Sequence, residues 1–190
     1  TINDIKEILR AGADKVSINS AGIKNPNFIR EAVKKFGSST IVVCIDVKNN
    51  LFKNTRVWSH NGKRSSKYSP VDFAKLMEEK GAGEIIIQSI EHDGMMSGYN
   101  IKLIKEISTT VSIPVIALGG AGVFDHLREA YYSGYANCYG LWPEEVIKHP
   151  ILDEKEETRE GQIMMAAAIV DEARKKGKNL FFRYDRLESS

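Results

Sequence analysis

Glu84-Ile-Ile-Ile-Gln-Ser-Ile-Glu-His-Asp-Gly-Met-Met-Ser-Gly-Tyr99 joins an apolar run to a polar loop that holds two glycines. The run Ile85 to Ile87 predicts a parallel strand covered on both faces, because a strand solvated on one face would alternate. Sites in barrels of parallel strands form where the strands end, so Ser89, Asp93 and Gly94 stand at the predicted working surface. Gly94 and Gly98 let backbone amides approach an anion closely, and Asp93 can orient a hydroxyl or an amide.

The same alternation of helix and strand extends on either side. Ile2, Ile5, Ile8 and Leu9 recur at helical spacing before Gly12, and Asp14 to Ser20 reads as a short strand with Asn19 and Ser20 at its polar end. Pro26 opens a helix that runs to Phe36 and closes at Gly37. Thr40 to Val47 is the clearest strand, rich in β-branched residues, with Asp46 almost at its C-terminal end. A carboxylate there requires partners, and two readings stand: a general acid/base, or a group that caps the following loop. Lys48 to Ser69 is a long polar loop in which Thr55 to His60 forms part of an extra hairpin. Its Lys48, Lys53, Arg56, Lys63, Arg64 and Lys67 either attract a phosphorylated ligand or make a solvated surface.

Pro70 starts a helix over Phe73, Ala74, Leu76 and Met77, which Gly81 and Gly83 close. A further helix, Ile101 to Ser108, leads into Ile113-Pro-Val-Ile-Ala-Leu-Gly-Gly-Ala-Gly122. A strand that ends in Gly119-Gly120-Ala-Gly122 before a helix suits a phosphate cradle, since glycines free the backbone and the helix start adds its positive dipole end. The alternative is a tight turn without a ligand. The spacing fits neither the dinucleotide fingerprint nor the P-loop, which leaves a phosphosugar-type site.

Composition excludes several classes. The 190 residues carry 27 basic and 25 acidic side chains, so neither nucleic acid nor an anionic membrane is expected as a partner. No apolar run reaches the ~20 residues of a membrane span. The four histidines lack ligand spacing, and no metal site is expected. Cys44 and Cys138 match no redox or metal pattern and read as reduced thiols, which points to the cytoplasm.

Ala13-Asp-Lys-Val-Ser-Ile-Asn19, Phe36-Gly-Ser, Val42-Val-Cys-Ile-Asp46, Gly81-Ala-Gly-Glu-Ile85, Asp93-Gly-x-x-Ser-Gly-Tyr99 and Ile113-Pro-Val-Ile-Ala-x-Gly-Gly-Ala-Gly122 together resemble the HisF family, the cyclase subunits of imidazole glycerol phosphate synthase. The resemblance implies a (βα)8 TIM barrel without a cofactor that takes ammonia from a HisH-like glutaminase. With it the family converts a phosphoribulosyl-formimino aminoimidazole carboxamide ribonucleotide (PRFAR) to imidazole glycerol phosphate and AICAR. By resemblance Asp46 is the catalytic acid/base and Asn19 and Ser20 contact one end of the substrate. Asp93, Gly94, Gly119, Gly120 and Gly122 cradle the other phosphate, Lys15 and Glu84 belong to an ammonia gate at the barrel floor, and Asp14 touches the glutaminase.

The resemblance covers the fourth to about the eighth strand of such a barrel, residues 1–138. The second catalytic aspartate belongs to the first strand and lies outside it, so turnover by the chain alone is expected to be impaired. Leu118 replaces a small polar residue before the double glycine. The expected division is an incomplete barrel over residues 1–140, a linker over 141–152 and a helix–strand tail over 153–190, in which Asn179 to Tyr184 is the strand. Either the tail completes the sheet as an open, flavodoxin-like one, two chains complete a barrel as a homodimer, or the chain is a fragment or chimera. A phosphosugar-binding scaffold without turnover is the alternative function.

Overall fold

The computed structural model describes residues 1–50, 54–141 and 181–182. Helix α1 (Ile2–Arg10) begins at Thr1, whose side chain accepts the Asp4 amide while the Asp4 carboxylate returns to the terminal ammonium. Strand β1 (Val16–Ile18) is short, and a helix the sequence reading did not foresee, α2 (Ser20–Lys24), follows at once. Helix α3 (Pro26–Phe36) starts with proline in its first turn and an Asn25 side-chain cap, and stops at Gly37 with φ 88°. A 3₁₀ turn at Ser38–Thr40 delivers the chain into β2 (Ile41–Asn49). The predicted hairpin is present as β3 (Thr55–Ser59) and β4 (Arg64–Ser65). Then come α4 (Pro70–Glu79), β5 (Glu84–Ser89), α5 (Ile101–Ser108), β6 (Val115–Leu118), α6 (Phe124–Tyr132), β7 (Cys138–Leu141) and β8 (Phe181–Phe182).

Strands β1, β2, β5, β6, β7 and β8 lie side by side in chain order, and every pairing in this series is parallel. The order never reverses. A flavodoxin-like sheet reverses once and places helices on both faces. Here α1, α3, α4, α5 and α6 pack in sequence, each on the next, as one layer. Among the described residues the architecture is therefore singly wound, an incomplete (βα)8-type barrel, with β8 extending the series beside β7. The predicted linker and tail helix lie outside the described residues.

Under the helix layer sits a continuous core: Val43, Ile45 and Val47 from β2, Ile85 and Ile87 from β5, and Val115 and Ala117 from β6 meet Ile29, Phe73, Met77, Ile104 and Leu127. Each large side chain buried there contributes roughly 1.5–3 kcal/mol. β5 itself departs from the expectation of equal cover on both faces. Its residues alternate, with Ile85, Ile87 and Ser89 buried and Glu84, Ile86 and Gln88 only half-buried. The difference is local to β5, because on the same inner face Val42 and Cys44 of β2 and Ile116 and Leu118 of β6 are buried.

Candidate functional site

Alternation along β2 sends Val42, Cys44, Asp46 and Lys48 to the inner face, opposite the core residues. One edge of β2 pairs with β5 from Val42 to Val47. The other edge is shared, with β1 against Ile41–Val43 and β3 against Asp46–Asn49. Asn19 bridges this hand-over, its Nδ2 donating to Cys44 O at 3.1 Å and Trp58 O at 3.4 Å. Ser20 Oγ donates to Asn19 Oδ1 and accepts the His60 amide, both at 3.0 Å. Both side chains thus fasten the β3–β4 flap to the sheet, a structural task that their motif did not announce.

Across the sheet the register aligns Asp46 with Gln88 and Gln88 with Leu118, so one inner-face row ends in these three residues. The Cys44 thiol donates to Asp46 Oδ1 at 3.3 Å, and Gln88 Nε2 donates to Asp93 Oδ2 at 3.1 Å. The Cys44 thiol also lies 4.0 Å from Gln88 Oε1, so the strand carboxylate and the loop carboxylate are linked through a thiol and an amide side chain. Gln88 is a site residue that the sequence reading missed. The signal was available, because a polar residue at an inward position of an otherwise isoleucine strand is out of pattern.

Ser89 does not join this group. It is buried, pairs in register with Val47, and takes the helix-facing side of β5 with Ile85 and Ile87. The strand ends one residue too late for its side chain to turn inward. Its carbonyl instead accepts the amides of His92 and Asp93, which folds the following loop.

The glycine turn packs against that loop. Gly98 N donates to Gly120 O at 2.6 Å, and a Cβ on Gly120 would stand 2.2 Å from Gly98 O. A Cβ on Gly122 would meet Met96 O at 2.4 Å, and one on Gly119 would meet Ser89 O at 3.0 Å. Loop-to-loop contact alone requires glycine at 120 and 122, and at Gly119 a φ of 83° adds to a tight contact. Gly94 differs: it is exposed, with φ 72° and open space where its Cβ would be. His126 also intervenes, since its Nδ1 accepts the amides of Gly122 at 3.0 Å and Val123 at 3.4 Å. The Gly122 amide, one of the expected cradle donors, is thus engaged by a side chain of α6.

At the opposite end of the strands Lys15 and Glu84 form an ion pair, with 29% and 16% of their side chains exposed. Asp14 lies beside them, exposed. The floor pair and the rim group share the inner face of the sheet and are separated by its length. Cys44 is buried, and the Cys138 side chain is not described. Among the described residues no group of histidine, cysteine and carboxylate side chains is arranged to hold a metal, and no helix is long and apolar enough to cross a membrane.

Residues 1–139 match the histidine biosynthesis protein family. Over 131 residues the chain is 50% identical to the imidazole glycerol phosphate synthase subunit HisF of Hydrogenobaculum sp. (strain Y04AAS1), a match that covers 69% of this chain and 52% of that protein. The chain spans about half the length of the curated relative it matches.

Proposed function

The chain belongs to the histidine biosynthesis protein family, and from that premise we propose that it carries the later part of a HisF-type cyclase site, with Asp46 as the acid/base group. The substrate is then PRFAR, and ammonia closes the imidazole ring, giving imidazole glycerol phosphate and AICAR. One observation carries the reading: Asp46 and Gln88 end the same inner-face row, and Gln88 ties Asp93 to it beside the glycine turn. A general acid/base must lie within hydrogen-bond reach of the proton it moves, and an inward carboxylate at the rim meets that demand. Asp93, Gly94, Gly119 and Gly120 would hold a phosphate there, while the Gly122 amide first has to leave His126. Asn19 and Ser20 would reach the other end of the substrate from the flap root.

The Lys15–Glu84 pair supports a gate at the floor, where a HisH-like glutaminase, touching Asp14, would deliver ammonia. The pairing of β8 with β7 supports a tail that adds to the same sheet after a linker over 141–152. A second reading is favoured by the extent of the match, which is half of the relative's length. In the resemblance the second aspartate belongs to the other half, so on this reading the chain binds a phosphosugar without turnover.

Ammonia-dependent turnover of PRFAR by the chain and by Asp46→Asn, with mass in solution recorded, separates the two. On the cyclase reading Asp46→Asn lowers turnover by about 10²–10⁴-fold with phosphate affinity retained. Equal rates in the two proteins would sink the role of Asp46, and a dimeric mass with activity would show that two chains complete the site. Absence of turnover in both, with phosphate bound, selects the binding module.

A further inference from the structure

The β2–β3 ladder at the root of the flap carries a pair of cations that the fold does not explain. Lys48 and Arg56 are direct cross-strand partners in the antiparallel β2–β3 ladder. Directly opposed residues project to the same face with Cβ atoms about 5 Å apart, and like charges in that position destabilise a sheet. No ion pair joins either of them to a carboxylate among the described residues. Two residues back along β2 and two onward along β3, Asp46 and Trp58 form the adjacent opposed pair on the same face. Both cations are half-buried, so bulk water does not screen them fully.

The surrounding contacts hold this wall in place. Trp58 Nε1 donates to Lys48 O at 2.9 Å, and the Lys48 ammonium lies 5.5 Å from the centre of the Trp58 ring. Asn19 fixes the backbone at Trp58 from below. The result is a planar, half-exposed indole beside two positive groups, next to the acid/base candidate at the end of the inner face. An arginine fork and a lysine point charge side by side match the oxygens of a dianion better than those of a single carboxylate.

We propose that Lys48 and Arg56, backed by Trp58, form a phosphomonoester subsite at the root of the flap, distinct from the glycine turn on β6. The pair stands on β2 and β3, and the glycine turn follows β6, with β5 between. Neighbouring strands are about 4.8 Å apart, so the two sites lie on the order of 10 Å or more from each other across the rim. A ligand that fills both carries phosphate at each end. This deepens the cyclase reading, since it adds a holder for a second phosphate of the same substrate.

The test reads the indole. The sequence contains two tryptophans, so in a Trp142→Phe background Trp58 is the sole emitter. Titration of the full chain with inorganic phosphate, and separately with ribose 5-phosphate, should give a saturable change in emission as the anion draws Lys48 from the ring. Sodium chloride at matched ionic strength should give none. Lys48→Gln with Arg56→Gln should weaken the phosphate response by at least about tenfold, the usual scale for charge-assisted hydrogen bonds. The same double variant should melt no earlier than its parent, because it removes opposed like charges.

A chloride response equal to that of phosphate, or an undiminished phosphate response in the double variant, overturns the proposal. Should the double variant melt earlier, Arg56→Lys decides, because it keeps the charge and loses the fork. An unchanged response there also overturns the proposal, and a weakened one supports it. The emission readout does not depend on turnover. A chain that is active on PRFAR with no Trp58 response refutes the subsite alone, and a Trp58 response without turnover refutes the cyclase reading alone.

Discussion

The two ends of the same strands use their polar groups differently. At the floor, side chains complete the backbone: Asn137 Oδ1 accepts the Val115 amide, and Glu78 accepts those of Ser112 and Ile113. Lys15 and Glu84 neutralise one another there. At the rim Lys48 opposes Arg56, Asp46 and Gln88 crown an apolar sheet, and Gly94 leaves open space. Opposed like charges lower stability, and among the described residues the Lys48–Arg56 pair stands at the rim while the inward carboxylate of the floor has a cation beside it, a difference that marks the rim as the end where the fold yields to a ligand. Floor substitutions should therefore cost stability, and rim substitutions binding or chemistry.

Gly120→Val tests the exception and has the largest expected effect. Its φ of 113° suits glycine, and its Cβ would overlap the Gly98 carbonyl. Strain and overlap together should cost at least about 3 kcal/mol in chemical denaturation. A variant as stable as its parent would mean that the two loops are not packed as described, and that the glycines serve a ligand first. Glu84→Gln comes next. Both partners are less than a third exposed, so the loss should be about 1–2 kcal/mol, between the values for surface and buried pairs. A loss near zero would erase the contrast between floor and rim.

Gly94→Ala sharpens the contrast from the other side. The alanine side chain would meet nothing, and the left-handed backbone costs about 1–2 kcal/mol. If Gly94 serves the cradle, phosphate affinity falls by more than this stability change accounts for. If affinity tracks stability alone, Gly94 is only a loop turn.

Much of this division was legible in the residues. Helix starts at Pro26 and Pro70, the exit at Gly37 and the β2 run all announce themselves through local chemistry, and the six motifs in order carried the fold class. Burial on β5 was not legible, because three isoleucines in succession read alike whether one face or both are fully covered. Nor was the double use of Asn19 and Ser20, which depends on β1 being too short to pair beyond Val43. The glycine turn was located correctly, but its rationale was incomplete: spacing cannot tell a glycine that admits a ligand from one that admits another loop. Coordinates separate Gly94 from Gly120 on that point.

The smallest effect concerns acid. Ser112 hydrogen bonding to Glu78 is the main cause that holds this carboxyl below the ordinary glutamate range, burial opposes it, and the Ser112 and Ile113 amides add to the lowering. Because the folded value is depressed, the contribution is present in full above the unfolded value and is lost as pH falls through the folded one. Stability should therefore decline in acid below the usual glutamate range, with Glu78 contributing a share of that slope. Glu78→Gln keeps an acceptor and loses the charge, so it should lower stability at neutral pH by about 0.5–1 kcal/mol and flatten the acid slope. A variant whose acid slope equals that of its parent would assign the loss to other carboxylates and leave α4 bound to the β6 entry by packing alone.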